Sequence, residues 1–417
     1  MEVPVKYIAL KRNLEFFKQR KALETKFLED FKKSNPAVQK AIDEVRANGL
    51  TEDPDLIVKR CMNPSAGSAL PPLKPKPGVK TYAELSDEET RKQKQINVLH
   101  GLKMDRQLQW LQTLEKFTYD KLKEVIVQYC PYEINDPAKD VPLYMIALPE
   151  FYYADINDDH KHQTTEAIKN YSKPIYYEHI KKLVMGQINL QYSVANLSGQ
   201  KNIIIFGGTI LWKQINPTDH KKEKIVNSLL VYWCGACQIV WNKRFVSKID
   251  GLGEGRTGKG EKKIEPPDVS TMILPPQSDE TRVPELLPGN VVPRFRTRWR
   301  STRLKKEVFI ETGFDICLDY SKKVLKTMSD FLAWQAPHIH VLIAGGMKSD
   351  RSDKFATKLF LRCDAGGRAE SPRGDTECQV YRQDAPPGED HWKVVAPRLV
   401  LQYFEVYEVK IDIEESL

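Results

Sequence analysis

Three residues with chemically reactive side chains each stand near the end of an apolar run: Glu150, Lys243 and Cys317. Such runs predict β-strands, and reacting groups in α/β proteins gather at the carboxyl ends of strands. A carboxylate can take the proton of a thiol, the thiolate can attack a carbonyl or nitrile carbon, and an ammonium can stabilise the charge that develops. The three side chains therefore permit cysteine-dependent acyl chemistry, provided that folding brings them together.

The sequence around these residues alternates between two kinds of pattern. Apolar runs predict strands at 96–100, 141–148, 202–206, 308–317 and 338–343. Helical spacing of apolar residues predicts helices at 108–126, 175–193 and 320–335. Two apolar runs around Cys234–Gly235–Ala236–Cys237 predict a hairpin over 229–241. This alternation predicts a layered α/β core.

The N-terminal region has a different pattern. Tyr7, Leu10, Leu14 and Phe17 are spaced as on one helix face, which predicts a helix over 5–33 packed on the main domain. A second predicted helix begins at Pro36. We therefore expect a helical extension at 1–61, a Pro-rich linker with a short helix at 62–92, and the main domain at 93–417. A basic insertion rich in Gly and Pro interrupts that domain at about 249–306.

Four segments of the main domain resemble the nitrilase, or carbon–nitrogen hydrolase, superfamily. They are Leu148–Pro149–Glu150, Phe206–Gly207–Gly208–Thr209, the run from Gly235 to Lys243, and Gly313–Phe314–Asp315–Ile316–Cys317–Leu318–Asp319. The resemblance covers roughly residues 95 to 400. It implies a four-layer α-β-β-α sandwich, here with an N-terminal helical extension.

The resemblance also implies roles for individual residues. Glu150 would be the general base, Cys317 the nucleophile, and Lys243 the cation facing the tetrahedral intermediate, although Lys248 is close enough to compete for that role. The backbone N–H of Leu318 would be a second oxyanion donor. Glu254 would match an additional glutamate that many members place after the lysine.

The implied activity is hydrolysis of a non-peptide carbon–nitrogen bond through a thioester on cysteine. An amide is preferred to a nitrile as the small-molecule substrate, and no cofactor or metal is expected. Some relatives pass the acyl group to an amine instead of water, and family members often pair into homo-oligomers. Tyr320–Ser321–Lys322–Lys323 replaces the usual segment after the nucleophile, so the substrate class stays open.

An Arg-rich segment supports a rival interpretation. Arg294, Arg296, Arg298 and Arg300 alternate with other side chains, two of them aromatic, in the run 294–300. Such a segment could bind nucleic acid or an anionic membrane surface, which would suit a catalytically silent nitrilase-like module. The alternative is a solvated edge strand whose arginines form ion pairs with nearby carboxylates.

Composition and cysteine content limit which other classes of protein the sequence could belong to. Seven cysteines, an odd number, argue against a disulfide framework and for a reducing compartment. No apolar run is long enough for a membrane span, and the N-terminus lacks a secretory pattern, so cytoplasmic residence is expected. Cys234 and Cys237 could be a redox pair, or half of a zinc site that Cys363 and Cys378 would complete, but a hairpin turn flanked by two thiols is favoured. His338 and His340 are assigned no role.

Overall fold

The structure is a computed structural model that describes residues 1–10, 14–34, 109–110, 112–134, 136, 138–150, 152–153, 194–199, 202–215, 223–244, 293–345, 354–364, 378–383 and 392–414. Several predictions from sequence fall outside these residues: the strand at 96–100, the second helix, the linker at 62–92, the helix at 175–193 and the insertion up to 292. The chain forms two compact units, Met1–Gln19 with Leu114–Leu417, and Arg20–Thr113.

The described residues form helices and strands with the following bounds. The helices are α1 (Leu14–Ser34), α2 (112–129), α3 (Val194–Leu197), α4 (Leu318–Ser321) and α5 (Val324–Phe331). The first strands are β1 (Glu2–Leu10), β2 (Leu143–Leu148), β3 (Ile203–Ile215), β4 (Glu223–Trp233), β5 (Ala236–Asn242), β6 (Arg294–Arg300) and β7 (Glu307–Ile316). The later strands are β8 (Ile339–Ala344), β9 (Leu359–Asp364), β10 (Cys378–Gln383), β11 (Trp392–Val395), β12 (Leu399–Val400) and β13 (Phe404–Asp412). None of the described helices is long and apolar enough to cross a membrane.

The strands form two mixed sheets. The first sheet has the order β12-β13-β1-β2-β3-β4-β5, with β1, β2 and β3 parallel. The second has the order β11-β10-β9-β8-β7-β6, with β7, β8 and β9 parallel. β2 lies between two parallel strands, and β7 runs parallel to β8 and antiparallel to β6. The carboxyl ends of β2 and β7 lead to Glu150 and Cys317.

The inner faces of the two sheets share one core. Phe206 of the first sheet and Phe314 of the second have ring centroids 6.2 Å apart, and Trp241 meets Phe314 at the same centroid distance. All three side chains belong to a single cluster of buried residues from both sheets. Burial of this cluster, which contains many aliphatic side chains besides the aromatic ones, stabilises the contact between the sheets.

Helices cover the outer faces. On the first sheet, Lys6 donates to the carbonyl of Tyr129 at the end of α2 (3.1 Å). On the second sheet, Tyr320 of α4 packs against Phe360, with centroids 5.6 Å apart. A Cβ added at Gly313 would lie 2.6 Å from Cδ2 of Leu325 in α5, so that helix lies directly on β7. The α/β class, with two sheets between helices, is confirmed.

The prediction of a helix over 5–33 is wrong for residues 5–10, which belong to β1. This strand lies between β2 and β13, and its residues Val3, Val5 and Tyr7 enter the shared core. The apolar residues of 3–9 also fit a period of two, and pairing with strands on both sides selects that period over the helical one. The helix begins only at Leu14.

The strand predicted at 202–206 is longer in the structure, because β3 continues through Gly207 and Gly208 to Ile215. The glycines form a bulge, where the pairing with β4 shifts between Phe206 and Thr209. Gly208 has a φ of 75°, and a Cβ there would lie 2.8 Å from the carbonyl oxygen of Pro149. The bulge therefore makes room for the segment that carries Glu150.

The central position of β1 leads to a stability prediction. Ile8 is fully buried, so Ile8→Ala should lower the free energy of unfolding by about 2–4 kcal/mol, the usual cost of such a cavity. Val394 is 62% exposed, and Val394→Ala should change stability by less than about 0.5 kcal/mol. Urea unfolding followed by circular dichroism measures both. Equal, small effects would contradict the placement of β1 inside the sheet.

Candidate active site

Glu150 and Lys243 form a buried ion pair. The Nζ atom of Lys243 lies 2.8 Å from Oε1 of Glu150, and the two side chains are 1% and 0% exposed. Glu150 follows β2 and Lys243 follows β5, so the pair joins two strand ends of the first sheet. Charges buried this deeply require close partners, because the protein interior replaces their solvation by water poorly.

Asn227 of β4 binds both members of this pair. Its side-chain Nδ2 donates to Oε1 of Glu150 (2.8 Å), and its backbone carbonyl accepts from the N–H of Lys243 (2.8 Å). The amide side chain is 3% exposed. Two donors on one carboxylate oxygen fix the plane and rotamer of the Glu150 carboxyl group.

Cys317 stands where β7 turns into α4. Its backbone has φ 46° and ψ −107°, a conformation that a residue with a side chain rarely adopts. Strain of this kind costs on the order of 1–3 kcal/mol and is concentrated at reactive sites. The side chain is 4% exposed.

Backbone hydrogen bonds place Glu150 and Cys317 at the same strand end. The N–H of Cys317 donates to the carbonyl of Ile343 (2.9 Å), and the N–H of Glu150 donates to the carbonyl of Ala344 (3.3 Å). Ile343 and Ala344 are consecutive residues of β8, and consecutive Cα atoms are about 3.8 Å apart. The end of β8 therefore joins the segment that follows β2 to the segment that follows β7.

Asp319 links the lysine segment to the cysteine segment. Its two carboxylate oxygens each accept from the N–H of Arg244 at 3.0 Å, and the side chain is fully buried. Arg244 follows Lys243, and Asp319 lies two residues after Cys317. The segments that carry a carboxylate, an ammonium and a thiol are thus tied to one another pairwise, by polar contacts that the interior strengthens.

The other predicted site residues are placed as follows. Leu318 is buried and begins α4. Glu254 and Lys248 lie outside the described residues. Cys234 and Gly235 form the two-residue turn of the β4–β5 hairpin with positive φ at both positions, which agrees with the hairpin prediction.

The Arg-rich run forms β6, the edge strand of the second sheet. Its arginines meet carboxylates of β7: Arg294 and Arg296 contact Glu311, while Arg298 and Arg300 lie 3.7 and 4.0 Å from Glu307. This is the arrangement expected of an edge strand whose arginines form ion pairs with nearby carboxylates.

The two histidines of the second sheet have structural contacts. The N–H of Phe355 donates to Nδ1 of His340 (3.3 Å), which leaves Nε2 as the donor to Asp315 at 3.1 Å. His338 accepts from the N–H of Glu311 through Nδ1, and burial lowers its pKa. In the described part of the chain, no group of three or more His, Cys, Asp or Glu side chains could hold a metal ion.

Two residues of this site were missed from sequence. Asn227, together with Ser228, interrupts the apolar run 225–231, and Asp319 closes the motif around Cys317, but the sequence analysis predicts no contact for Asn227 or Asp319. A polar residue inside a strand that is otherwise apolar is a signal that could have identified Asn227, because burial there requires a partner.

Helix α2 supports the backbone just after Glu150. Thr118 and Tyr152 share a hydrogen bond of 2.8 Å between their hydroxyl groups. One turn earlier, Glu115 accepts from the N–H of Val194 (3.4 Å). Burial raises the pKa of Glu115 from 4.5 to about 7. This carboxyl group is therefore protonated in the folded protein under mildly acidic conditions.

Neither a protein-family model nor a curated protein matches the chain. The solved structures that resemble it include members of the nitrilase superfamily. Nit3 from Saccharomyces cerevisiae, a member of branch 10 of that superfamily, is 13% identical, with 71% of this chain and 82% of Nit3 covered and a TM-score of 0.32. A carbon–nitrogen hydrolase from Helicobacter pylori G27 is 10% identical, with 71% and 84% covered and a TM-score of 0.31.

A glutamine-dependent NAD+ synthetase from Acinetobacter baumannii is 9% identical, with a TM-score of 0.32; the match covers 72% of this chain and 43% of the synthetase. Likeness at these identities and TM-scores is distant.

The buried ion pair leads to a prediction about stability. Lys243→Met should cost about 3–5 kcal/mol, because the Glu150 carboxylate would then face a thioether in the interior. The double variant Glu150→Gln/Lys243→Met should regain a large part of that loss, since it carries no buried charge at either position. Chemical denaturation of both variants measures the difference.

A matched control is the exposed pair of Lys116 and Asp120, which are 2.8 Å apart and 50% and 46% exposed. Lys116→Met should cost less than about 1 kcal/mol. A Lys243→Met variant as stable as Lys116→Met would contradict the burial of the pair.

The raised pKa of Glu115 leads to a prediction about pH. The folded state holds the Glu115 proton up to about pH 7, whereas the unfolded state releases it near 4.5, so this group's contribution to stability falls as pH rises between those values. Glu115→Gln keeps the hydrogen-bond acceptor and removes the titration. Relative to the wild type, this variant should gain roughly 2 kcal/mol between pH 5 and pH 8. Thermal unfolding of both proteins across this pH range measures how their difference in stability changes with pH. Curves of stability against pH that run parallel for the variant and the wild type would contradict the prediction.

Proposed function

We propose that the protein is a thiol hydrolase that cleaves a non-peptide carbon–nitrogen bond, with an amide as the preferred substrate class. Cys317 would be the nucleophile, Glu150 the general base, and Lys243 the cation at the developing oxyanion. The observation that carries the proposal is the direct contact of Glu150 with Lys243 beside the strand end of β8 that also holds the backbone of Cys317. It is supported by the resemblance of the same residues to the nitrilase superfamily.

The proposed reaction begins with transfer of the Cys317 proton to Glu150. The thiolate attacks the carbonyl carbon, and the tetrahedral oxyanion is stabilised by the Lys243 ammonium and the N–H of Leu318. Glu150 then returns the proton to the departing amine as the carbon–nitrogen bond breaks. In the second half, Glu150 takes a proton from water, whose oxygen attacks the thioester carbon. The carbon–sulfur bond then breaks, and Glu150 gives that proton to the departing sulfur of Cys317, which restores the starting enzyme.

The protein's own contacts suit these roles. Asn227 and Lys243 both donate to Oε1 of Glu150, which orients the carboxyl group before substrate arrives. The strained backbone at Cys317 holds the sulfur at a sharp junction between strand and helix. Asp319 keeps the segment after Lys243 against the segment after Cys317. Because these groups are already oriented, they need to move little when the substrate reacts.

Labelling with iodoacetamide at pH 7.5 tests the nucleophile. We expect the adduct on Cys317, found by peptide mass mapping, and Glu150→Gln should slow its formation. Burial raises the pKa of Cys130 and of Cys237 to about 12, so those thiols should stay protonated and react slowly. Cys234 is half-buried, and Cys234→Ala is the matched control that should leave the Cys317 rate unchanged.

The same variants test whether Cys317 is required for turnover as well as for labelling. On a panel of small amides, Cys317→Ala should lose turnover by on the order of 1000-fold or more, while Cys234→Ala keeps it. Intact-mass analysis should show an acyl adduct on the wild type, and added hydroxylamine should divert it to the hydroxamate. Unchanged turnover in Cys317→Ala, or labelling at every cysteine except Cys317, would overturn the proposal.

A further inference from the structure

The backbone of Cys317 is strained, and its surroundings have to keep it so. A φ of 46° with a ψ of −107° is unfavourable for a residue with a side chain, and such a conformation persists only where neighbouring contacts fix it. After Cys317, the contact of Asp319 with the N–H of Arg244 fixes the chain. Before Cys317, the chain is fixed by the contacts of Asp315.

The carboxylate of Asp315 closes a loop that contains Cys317. Asp315 lies near the end of β7, and its Oδ1 atom accepts from the backbone N–H of Leu325 in the first turn of α5 (3.2 Å). The segment between these two residues contains Cys317 and all of α4. One carboxylate oxygen therefore joins the two ends of the segment that has the strained turn.

His340 of β8 binds the other oxygen of the same carboxylate. Its Nε2 atom lies 3.1 Å from Oδ2 of Asp315, and the two side chains are 1% and 3% exposed. Its Nδ1 atom accepts from the backbone N–H of Phe355 (3.3 Å), so the hydrogen of the neutral ring is on Nε2 and points to Asp315. The opposite tautomer would lose both contacts.

This contact lies on the outer side of the second sheet. Ile316 and Cys317 belong to the core shared by the two sheets, whereas the ring of His340 packs against Tyr320 of α4, with centroids 5.7 Å apart. Asp315 and His340 therefore act on the turn from behind. A hydrogen bond to a buried carboxylate contributes about as much to stability as one strained backbone position costs, so the contact is strong enough to keep the turn in place.

We propose that Asp315 and His340 are positioning residues, whose hydrogen bond holds the strained turn at Cys317 and thereby fixes the direction of its sulfur. The consequence for catalysis rests on the role proposed above for Cys317, whereas the effect on the turn does not.

Asp315→Asn tests this inference because it replaces one carboxylate oxygen by a donor and keeps the size of the side chain. The amide oxygen can still accept from Leu325, but the amide nitrogen then meets the Nε2–H of His340, and the contact with Phe355 excludes the other tautomer. Asp315→Asn/His340→Gln should restore the contact, since the new amide oxygen at 340 can accept from the amide nitrogen at 315.

Hydrogen–deuterium exchange of the full chain, measured on the peptide 317–325, reports whether the turn is held. The N–H of Tyr320 donates to the carbonyl of Cys317 (3.0 Å), and the N–H of Leu325 donates to Asp315. In Asp315→Asn these two groups should exchange faster by on the order of tenfold, because the turn opens more often. The double variant should reverse most of this change. Unchanged exchange in Asp315→Asn would overturn the inference, whether or not the protein is an enzyme.

The rate of iodoacetamide labelling and the turnover of small amides report whether the turn positions the sulfur. The measurements are made at a temperature at which near-ultraviolet circular dichroism shows every variant folded. Asp315→Asn should lower the labelling rate of Cys317 and kcat by on the order of tenfold, with little change in KM, because a misplaced nucleophile slows the reaction more than it weakens binding. The double variant should regain most of both. Faster exchange with an unchanged labelling rate of Cys317 would overturn the positioning role.

The matched control is Asp140→Asn. The Asp140 side chain is 6% exposed and accepts from Ser301 (2.9 Å) and Thr302 (3.2 Å), and it lies before β2, whereas Glu150 follows that strand. This variant should lower stability and leave the labelling rate of Cys317 unchanged. Equal slowing in Asp140→Asn and Asp315→Asn would show a general effect of destabilisation and overturn the inference.

Failure of the proposed function gives a different result. A wild type that turns over no amide and is not labelled at Cys317 would overturn the proposed function. The exchange of 317–325 in Asp315→Asn and in the double variant would then still decide whether the contact of Asp315 with His340 holds the turn.

Discussion

The buried contact between Glu150 and Lys243 is the constraint around which the described part of the chain is organised. Two opposite charges with almost no exposed surface are tolerated only where geometry and additional hydrogen bonds replace water. Asn227 supplies such a bond and also holds the backbone of Lys243. Because Glu150 and Lys243 follow the ends of β2 and β5 and Asn227 lies within β4, the register of these three strands has to be correct before the pair can form.

The second sheet is joined to this pair through backbone groups. Consecutive carbonyls at the end of β8 accept from Cys317 and Glu150, and the Asp319 carboxylate accepts from Arg244. Backbone hydrogen bonds in the interior form rigid connections, because a buried backbone polar group that lacks a partner raises the free energy of the folded state. The two unusual backbone features nearby, the left-handed φ of Cys317 and the glycine bulge in β3, both lie where such connections require the chain to turn sharply.

Charge is distributed differently at the two ends of the sandwich. Near Cys317 the ionic groups that the structure describes are buried and closely paired, which suits chemistry that needs oriented dipoles away from water. At the other end lies a cavity that is lined by seven Lys and Arg side chains and three Asp and Glu side chains. The arginines of β6 form the most conspicuous basic run of the sequence. They are paired with Glu307 and Glu311 of the neighbouring strand. A run of like charges in sequence is therefore a poor guide to where net charge accumulates in the fold.

The sequence by itself determined the strands whose apolar runs are covered on both faces, such as β2 and β8, and the hairpin around Cys234–Gly235, because these patterns depend on neighbouring residues alone. It also singled out Glu150, Lys243 and Cys317 through residue type, position after a strand and family resemblance. Their catalytic roles remain a proposal. The tertiary structure decided that residues 5–10 form a strand, since partners on both sides came from 143–147 and 404–409.

Tertiary structure likewise decided that Asn227 and Asp319 support the site, and that cations from distant segments share one cavity. Each of these depends on side chains that are remote in sequence, and no local pattern encodes which remote partner a polar group will meet when it is buried.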